Sequence, residues 1–321
     1  MTEPTLHHVN CPGLAAKTAP EVAGHRMAYW EWNNSGDAHN PHVIVCVHGL
    51  SRQGRDFDAL ARVLSRSARV ICPDVVGRGQ SDWLADPMAY QLPNYAGDML
   101  ALLAQVHAQA PIHTLDWVGT SMGGLIGMAI AGSAQLPLPA PVRRLVINDV
   151  GPSILWQALA RIGSYLGQTG RFASVQQAAD AMWAISTSFG PHTPEQWLAL
   201  SQPMVRQLPK ANPHDADAWT LHYDPAIAVP FASVTEEVAK QGEAAMWNLY
   251  DHITAQTLLL RGAQSDLLSP ATAQAMTERG PRARLVELAG VGHAPTLIAP
   301  DQQALVSGFL LDGATAPPAA A

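Results

Sequence analysis

Polar and apolar positions along the chain fall into two alternating patterns. Short apolar runs, largely β-branched, recur at 42–47 (HVIVCV), 69–76 (RVICPDVV), 112–118 (IHTLDWV), 144–149 (RLVIND), 257–261 (TLLLR) and 284–288 (RLVEL). Such runs mark strands covered on both faces. A looser alternation at 25–32 (HRMAYWEW), closed by the turn cluster Asn33-Asn34-Ser35-Gly36-Asp37, predicts an earlier strand. Between the runs, 57–64, 94–109 and 300–311 carry helical spacing, and 125–130 (LIGMAI) is apolar on every face like a buried helix. Strands alternating with helices predict an α/β fold, a mostly parallel sheet flanked by helices that binds ligands at the carboxyl ends of its strands.

The strand pattern stops between residues 151 and 247. Helical spacing at 154–167, 175–188, 194–208 and 234–247 is separated by turns at Gly190-Pro191, Pro209 and Asn212-Pro213. This predicts a helical cap over 152–247, inserted into a core made of 1–151 and 248–321. Five of the nine tryptophans fall in the insertion and, with Met182, Met204 and Met246, are expected to form its core. The tail from about 313 (GATAPPAAA) has nothing to pack and is expected to be disordered.

Composition narrows the function. Charged residues make up 14% of the chain, against roughly 25% in an average soluble domain. The formal net charge is −7, and no basic stripe offers a footprint for nucleic acid or an anionic membrane, so a small-molecule partner is expected. The segment MTEPTLHHVN lacks the pattern of a secretory signal, and no apolar run reaches the roughly 18 residues of a membrane span; a cytoplasmic protein is expected. Cys11, Cys46 and Cys72 are odd in number and lack metal-type spacing, which predicts buried thiols. His39 and His42 have no Cys, Asp or Glu cluster beside them, and neither a metal nor a cofactor is expected.

The candidate chemistry centres on Gly119-Thr120-Ser121-Met122-Gly123, set between the run ending at Val118 and the buried helix. In a strand–turn–helix corner the apical side chain projects clear of the backbone, and flanking glycines avoid collisions that a Cβ would cause. Ser121 occupies the apex. A serine hydroxyl needs a base to take its proton and an acid to orient the base. Downstream strand ends offer Asp266, in 262–266 (GAQSD), and His293, in 289–295 (AGVGHAP). Asp149, ending RLVIND, is the alternative acid; Asp266 is preferred.

With the motifs at His48-Gly49, 74–82 (DVVGRGQSD), 119–123, 262–266 and 290–293, the chain resembles the α/β-hydrolase superfamily from residue 43 to about 311. The resemblance implies a Ser121, His293, Asp266 triad and an oxyanion hole built from the Leu50 and Met122 amides, with His48 and Gly49 supporting the first of them. It implies a cofactor-independent serine hydrolase acting on a small carboxylic ester. Two alternatives are a hydrolase of C–C bonds in diketone-like ring-fission products and a noncatalytic protein that closes its cap over a small molecule. Serine at the elbow argues against dehalogenase and epoxide-hydrolase chemistry, for which the superfamily uses aspartate. Thr120, where the C–C hydrolases favour asparagine, leans toward an esterase. Arg52 and Arg78 are expected to tie down loops rather than to bind substrate.

Overall fold

The computed structural model describes residues 3–311 apart from 211, 213 and 233. Pro213 of the Asn212-Pro213 turn and the tail from about 313 therefore lie outside the described residues. In chain order the elements are β1 (Thr5–Cys11), β2 (His25–Trp32), β3 (His42–Val47), α1 (Asp58–Leu64), β4 (Arg69–Pro73), α2 (Leu92–Gln109), β5 (Thr114–Thr120), α3 (Met122–Gly132) and β6 (Val142–Asn148). The insertion follows with α4 (Trp156–Tyr165), α5 (Val175–Ser186), α6 (Pro194–Ser201), β7 (Val205–Gln207), β8 (Trp219–Leu221) and α7 (Ala228–Ala232). The chain then returns through α8 (Glu236–Asp251), β9 (Gln256–Gly262), α9 (Pro270–Glu278), β10 (Arg284–Leu288) and α10 (Pro300–Leu311).

Eight strands form one sheet in the order β1-β2-β4-β3-β5-β6-β9-β10. Pairing is antiparallel at β1–β2 and β2–β4 and parallel from β4 to β10. Period-two alternation sorts the apolar residues to the two faces. On β3, Val43, Val45 and Val47 join the core under α2, α3 and α8, whereas Ile44 and Cys46 join the core under α1 and α10. Cys11, Cys46 and Cys72 are buried free thiols.

The parallel register brings five carboxyl ends to one edge: Val47 pairs with Gly119, Thr120 with Asn148, and Leu288 with Gly262. Residues just past these strands are therefore neighbours in space though far apart in sequence.

The insertion has its own apolar cluster, in which Met182, Trp197, Leu200 and Met204 are buried and Trp183 and Trp219 pack against them. Met246 and Trp247 depart from the expected arrangement and pack on the sheet core from α8. A Cβ on Gly132 would collide with the Leu249 backbone, so α3 and α8 lie in close contact. The expected boundary at 247/248 thus falls inside a helix that covers the sheet. The helix expected over 194–208 ends at Ser201, because Pro203 cannot continue it, and the chain enters the β7–β8 hairpin instead.

Candidate active site

Ser121 sits between β5 and α3 with φ 52° and ψ −117°, the left-handed corner that lifts its side chain off the sheet. Such backbone is costly for a residue with a Cβ and persists only where its surroundings force it. The corner is closely packed, which is why glycines flank it. A Cβ on Gly119 would run into the Gly123 carbonyl, and one on Gly123 into the Val47 carbonyl. His293 Nε2 lies 3.0 Å from Ser121 Oγ, and His293 Nδ1 lies 2.8 Å from Asp149 Oδ2.

The acid in contact with the histidine is thus Asp149, and the preference for Asp266 is corrected. Asp149 is buried and also takes a left-handed backbone, φ 58°. Its Oδ1 accepts from the Gly262 amide at 2.8 Å and its Oδ2 from the Ser265 hydroxyl at 2.7 Å. Two donors thus hold the carboxylate against His293. Asp266 is half-exposed and forms a two-bond ion pair with Arg161 on α4, at 2.8 and 3.0 Å. The reason lies in the loop after β9: Ser265 turns inward to Asp149, and its hydroxyl accepts from the Leu267 and Leu268 amides, which leaves Asp266 facing the insertion. Neither Ser265 nor Arg161 is marked for the site by spacing or residue type in the sequence. The one signal for Ser265 is its place in the same 262–266 loop (GAQSD) as Asp266.

On the other side of Ser121 lies the loop after β3. A Cβ on Gly49 would stand 3.6 Å from Ser121 Cβ. Buried His48 donates from Nδ1 to the Gly49 carbonyl at 2.7 Å and accepts at Nε2 from the Val75 amide at 2.9 Å, which defines a neutral imidazole. Burial pushes its pKa down to about 3. Because a trans peptide directs its C=O and N–H to opposite sides, holding the Gly49 oxygen toward His48 turns the Leu50 N–H away from it. Arg78, fully buried, donates to the Leu50 and Val76 carbonyls at 2.8 and 2.7 Å, tying down a loop as expected. Asp74 accepts from the Gly54 and Gln80 amides at 2.8 and 2.9 Å; burial pushes its carboxyl up to about 6. Met122 is the first residue of α3, where a helical amide has no intrahelical acceptor.

These groups open on a cavity of about 250 Å³. Its floor holds Leu50, Ser121 and His293, and its roof is supplied by the insertion, including Arg161, Met182 and Phe189. Of the expected cap-core residues, Met182 and Met204 therefore also face the site.

One group of three side chains with metal-ligand chemistry occurs among the described residues: Cys11, His25 and Asp98, all buried. It lies on β1, β2 and α2, three to four strands from β5 in the sheet order. His25 Nδ1 bonds to the Leu14 carbonyl at 3.0 Å and Nε2 to Asp98 at 3.1 Å, while burial raises the Cys11 pKa and keeps the thiol protonated. The cluster ties the sheet edge to α2. Among the described residues no helix is long and apolar enough to cross a membrane.

The model of the alpha/beta hydrolase family matches residues 44–306. A 3-hydroxybutyrate-oligomer hydrolase of Cupriavidus necator is 48% identical over 285 residues, 89% of this chain and 92% of that protein. A 2-hydroxymuconate semialdehyde hydrolase of a Pseudomonas species is 25% identical over 178 residues, 54% of this chain and 53% of that one. Among solved structures, an alpha/beta hydrolase from Novosphingobium aromaticivorans superposes with a TM-score of 0.76 at 34% identity, covering 97% of this chain and 99% of its own.

Proposed function

The chain belongs to the alpha/beta hydrolase family, and we propose that it is a serine hydrolase of small carboxylic esters, acting through Ser121, His293 and Asp149. The observation that carries the mechanism is the unbroken hydrogen-bonded chain from Ser121 Oγ through His293 to the buried Asp149 carboxylate, opening on one cavity. His293 Nε2 takes the Ser121 proton as Oγ attacks the ester carbonyl, and Asp149 holds the resulting imidazolium. The oxyanion rests on the Leu50 and Met122 amides, fixed beforehand by the His48–Gly49 bond and the start of α3. The C–O bond breaks, the imidazolium protonates the departing alcohol, and a water activated by His293 then releases the acid from Ser121.

The substrate reading is a short oligomer of 3-hydroxyacids. What supports it is the likeness, along nearly the whole chain, to the Cupriavidus protein. The helical insertion is the cap that selects these substrates, and no cofactor or metal takes part in the proposed steps.

The test is hydrolysis of a chain-length series of p-nitrophenyl esters and of 3-hydroxybutyrate oligomers by the wild type and by Ser121→Ala. Turnover of short esters and oligomers that vanishes in Ser121→Ala is expected. Full turnover by the alanine variant would remove the nucleophile assignment, and a wild type inert on every ester would turn the reading toward C–C cleavage or binding without catalysis.

A further inference from the structure

The charges around the cavity are one-sided. Arg52 and Arg161 line it, and no carboxylate does. A small, partly apolar cavity with only cationic side chains favours a ligand that carries an anion. An oligomer of hydroxyacids ends in a free carboxylate on the alcohol side of its last ester bond, so the anion would enter with the leaving group.

The two arginines are not equivalent. Arg52 is 12% exposed, makes two 2.7 Å bonds to Asp56, reaches the Leu200 carbonyl and lies over the Phe189 ring. It is spent on holding the loop after β3. Arg161 stands on the insertion helix α4, and its ion-pair partner Asp266 belongs to the core. Its Nε and Nη2 face Asp266, and the two side chains are 40% and 50% exposed. An ion pair that open to water contributes little and exchanges partners readily. Tyr165, four residues along the same helix face, also lines the cavity; burial raises its pKa while the adjacent guanidinium lowers it. A guanidinium and a phenol thus stand together in the same cavity lining as Ser121.

Resting on the ester-hydrolase reading above, we propose that Arg161, assisted by Tyr165, binds the free carboxylate of the substrate and so directs cleavage to the ester bond nearest the carboxylate end. Asp266 occupies the same guanidinium when the site is empty.

The experiment compares kcat/KM for the 3-hydroxybutyrate dimer with that for its methyl ester, which keeps the same ester bond and lacks the charge. For the wild type the acid is preferred. In Arg161→Gln the acid-to-methyl-ester ratio should fall about tenfold or more, the worth of a charge-assisted pair of hydrogen bonds. Arg161→Lys should restore part of the ratio, and Asp266→Asn should keep or raise it. A ratio unmoved by Arg161→Gln, or Arg161→Gln and Asp266→Asn losing activity equally on both compounds, would overturn the proposal and leave the pair a tie between cap and core. Cleavage of p-nitrophenyl butyrate with no cleavage of either dimer form would instead overturn the oligomer reading.

Discussion

Replacing Asp149 by asparagine separates the two acids most sharply. Every partner of the Asp149 carboxylate is a donor: the Gly262 amide at 2.8 Å, the Ser265 hydroxyl at 2.7 Å and His293 Nδ1–H at 2.8 Å. An asparagine brings one oxygen and one NH2 to that pocket. If the NH2 faces Gly262, two buried donors meet, at a stability cost of about 1–3 kcal/mol. If it faces His293, the imidazole is driven to the tautomer with its proton on Nε2, which cannot accept from Ser121. In either orientation the negative charge that steadies the imidazolium is gone. Loss of this kind in a serine triad is worth about 10⁴ in kcat, or about 5.5 kcal/mol of barrier. Asp266→Asn breaks only a half-exposed pair with Arg161, of a type worth about 0–1 kcal/mol, so its kcat on p-nitrophenyl butyrate should stay within about twofold. Steady-state kinetics on that ester, with circular dichroism to check folding, decides the matter. A folded Asp149→Asn variant with near wild-type kcat, or a larger loss from Asp266→Asn, would refute the reasoning.

Two further substitutions probe the supports of the site. Ser265→Ala removes one donor to Asp149 and the acceptor for the Leu267 and Leu268 amides; urea denaturation at neutral pH should give a loss of about 1.5–3 kcal/mol, the worth of a hydrogen bond to a charged group, and a change near zero would contradict it. For His48, native pKa about 3 against 6.5 unfolded means that the unfolded chain binds the proton first as pH falls. Its contribution is present above pH 6.5 and is lost toward pH 3 at about 1.4 kcal/mol per pH unit. The stability gap between wild type and His48→Gln should therefore narrow by about 2 kcal/mol between pH 6.5 and 5. A gap constant with pH would show that the histidine is not held neutral.

The site was legible where its signals are local. Gly119, Ser121 and Gly123 announce a strand, a corner and a helix within five residues, and His293 stands in a glycine-rich loop after a strand. The acid was not legible, because both candidates follow strands of the same edge. Their difference arises from the path of two loops, set by the left-handed backbone of Asp149 and the inward turn of Ser265. The same limit applies at the end of the insertion: α8 has the amphipathic spacing of a cap helix, and its contact with Gly132 of α3 and the packing of Met246 and Trp247 place it against the core. Strand β1 is not legible in the sequence because, as an edge strand, it buries only Val9 and Cys11 and reads as polar. Strands β7 and β8, three residues each, are too short to carry a period.

Turnover by this mechanism attaches Ser121 covalently to the acyl group, a state that a phosphonate traps. The wild type treated with a p-nitrophenyl alkylphosphonate should release one equivalent of p-nitrophenol, lose ester hydrolysis in step, and carry the alkylphosphonyl group on Ser121 by peptide mass mapping. Labelling of another residue, or loss of activity with Ser121 unmodified, would contradict the account.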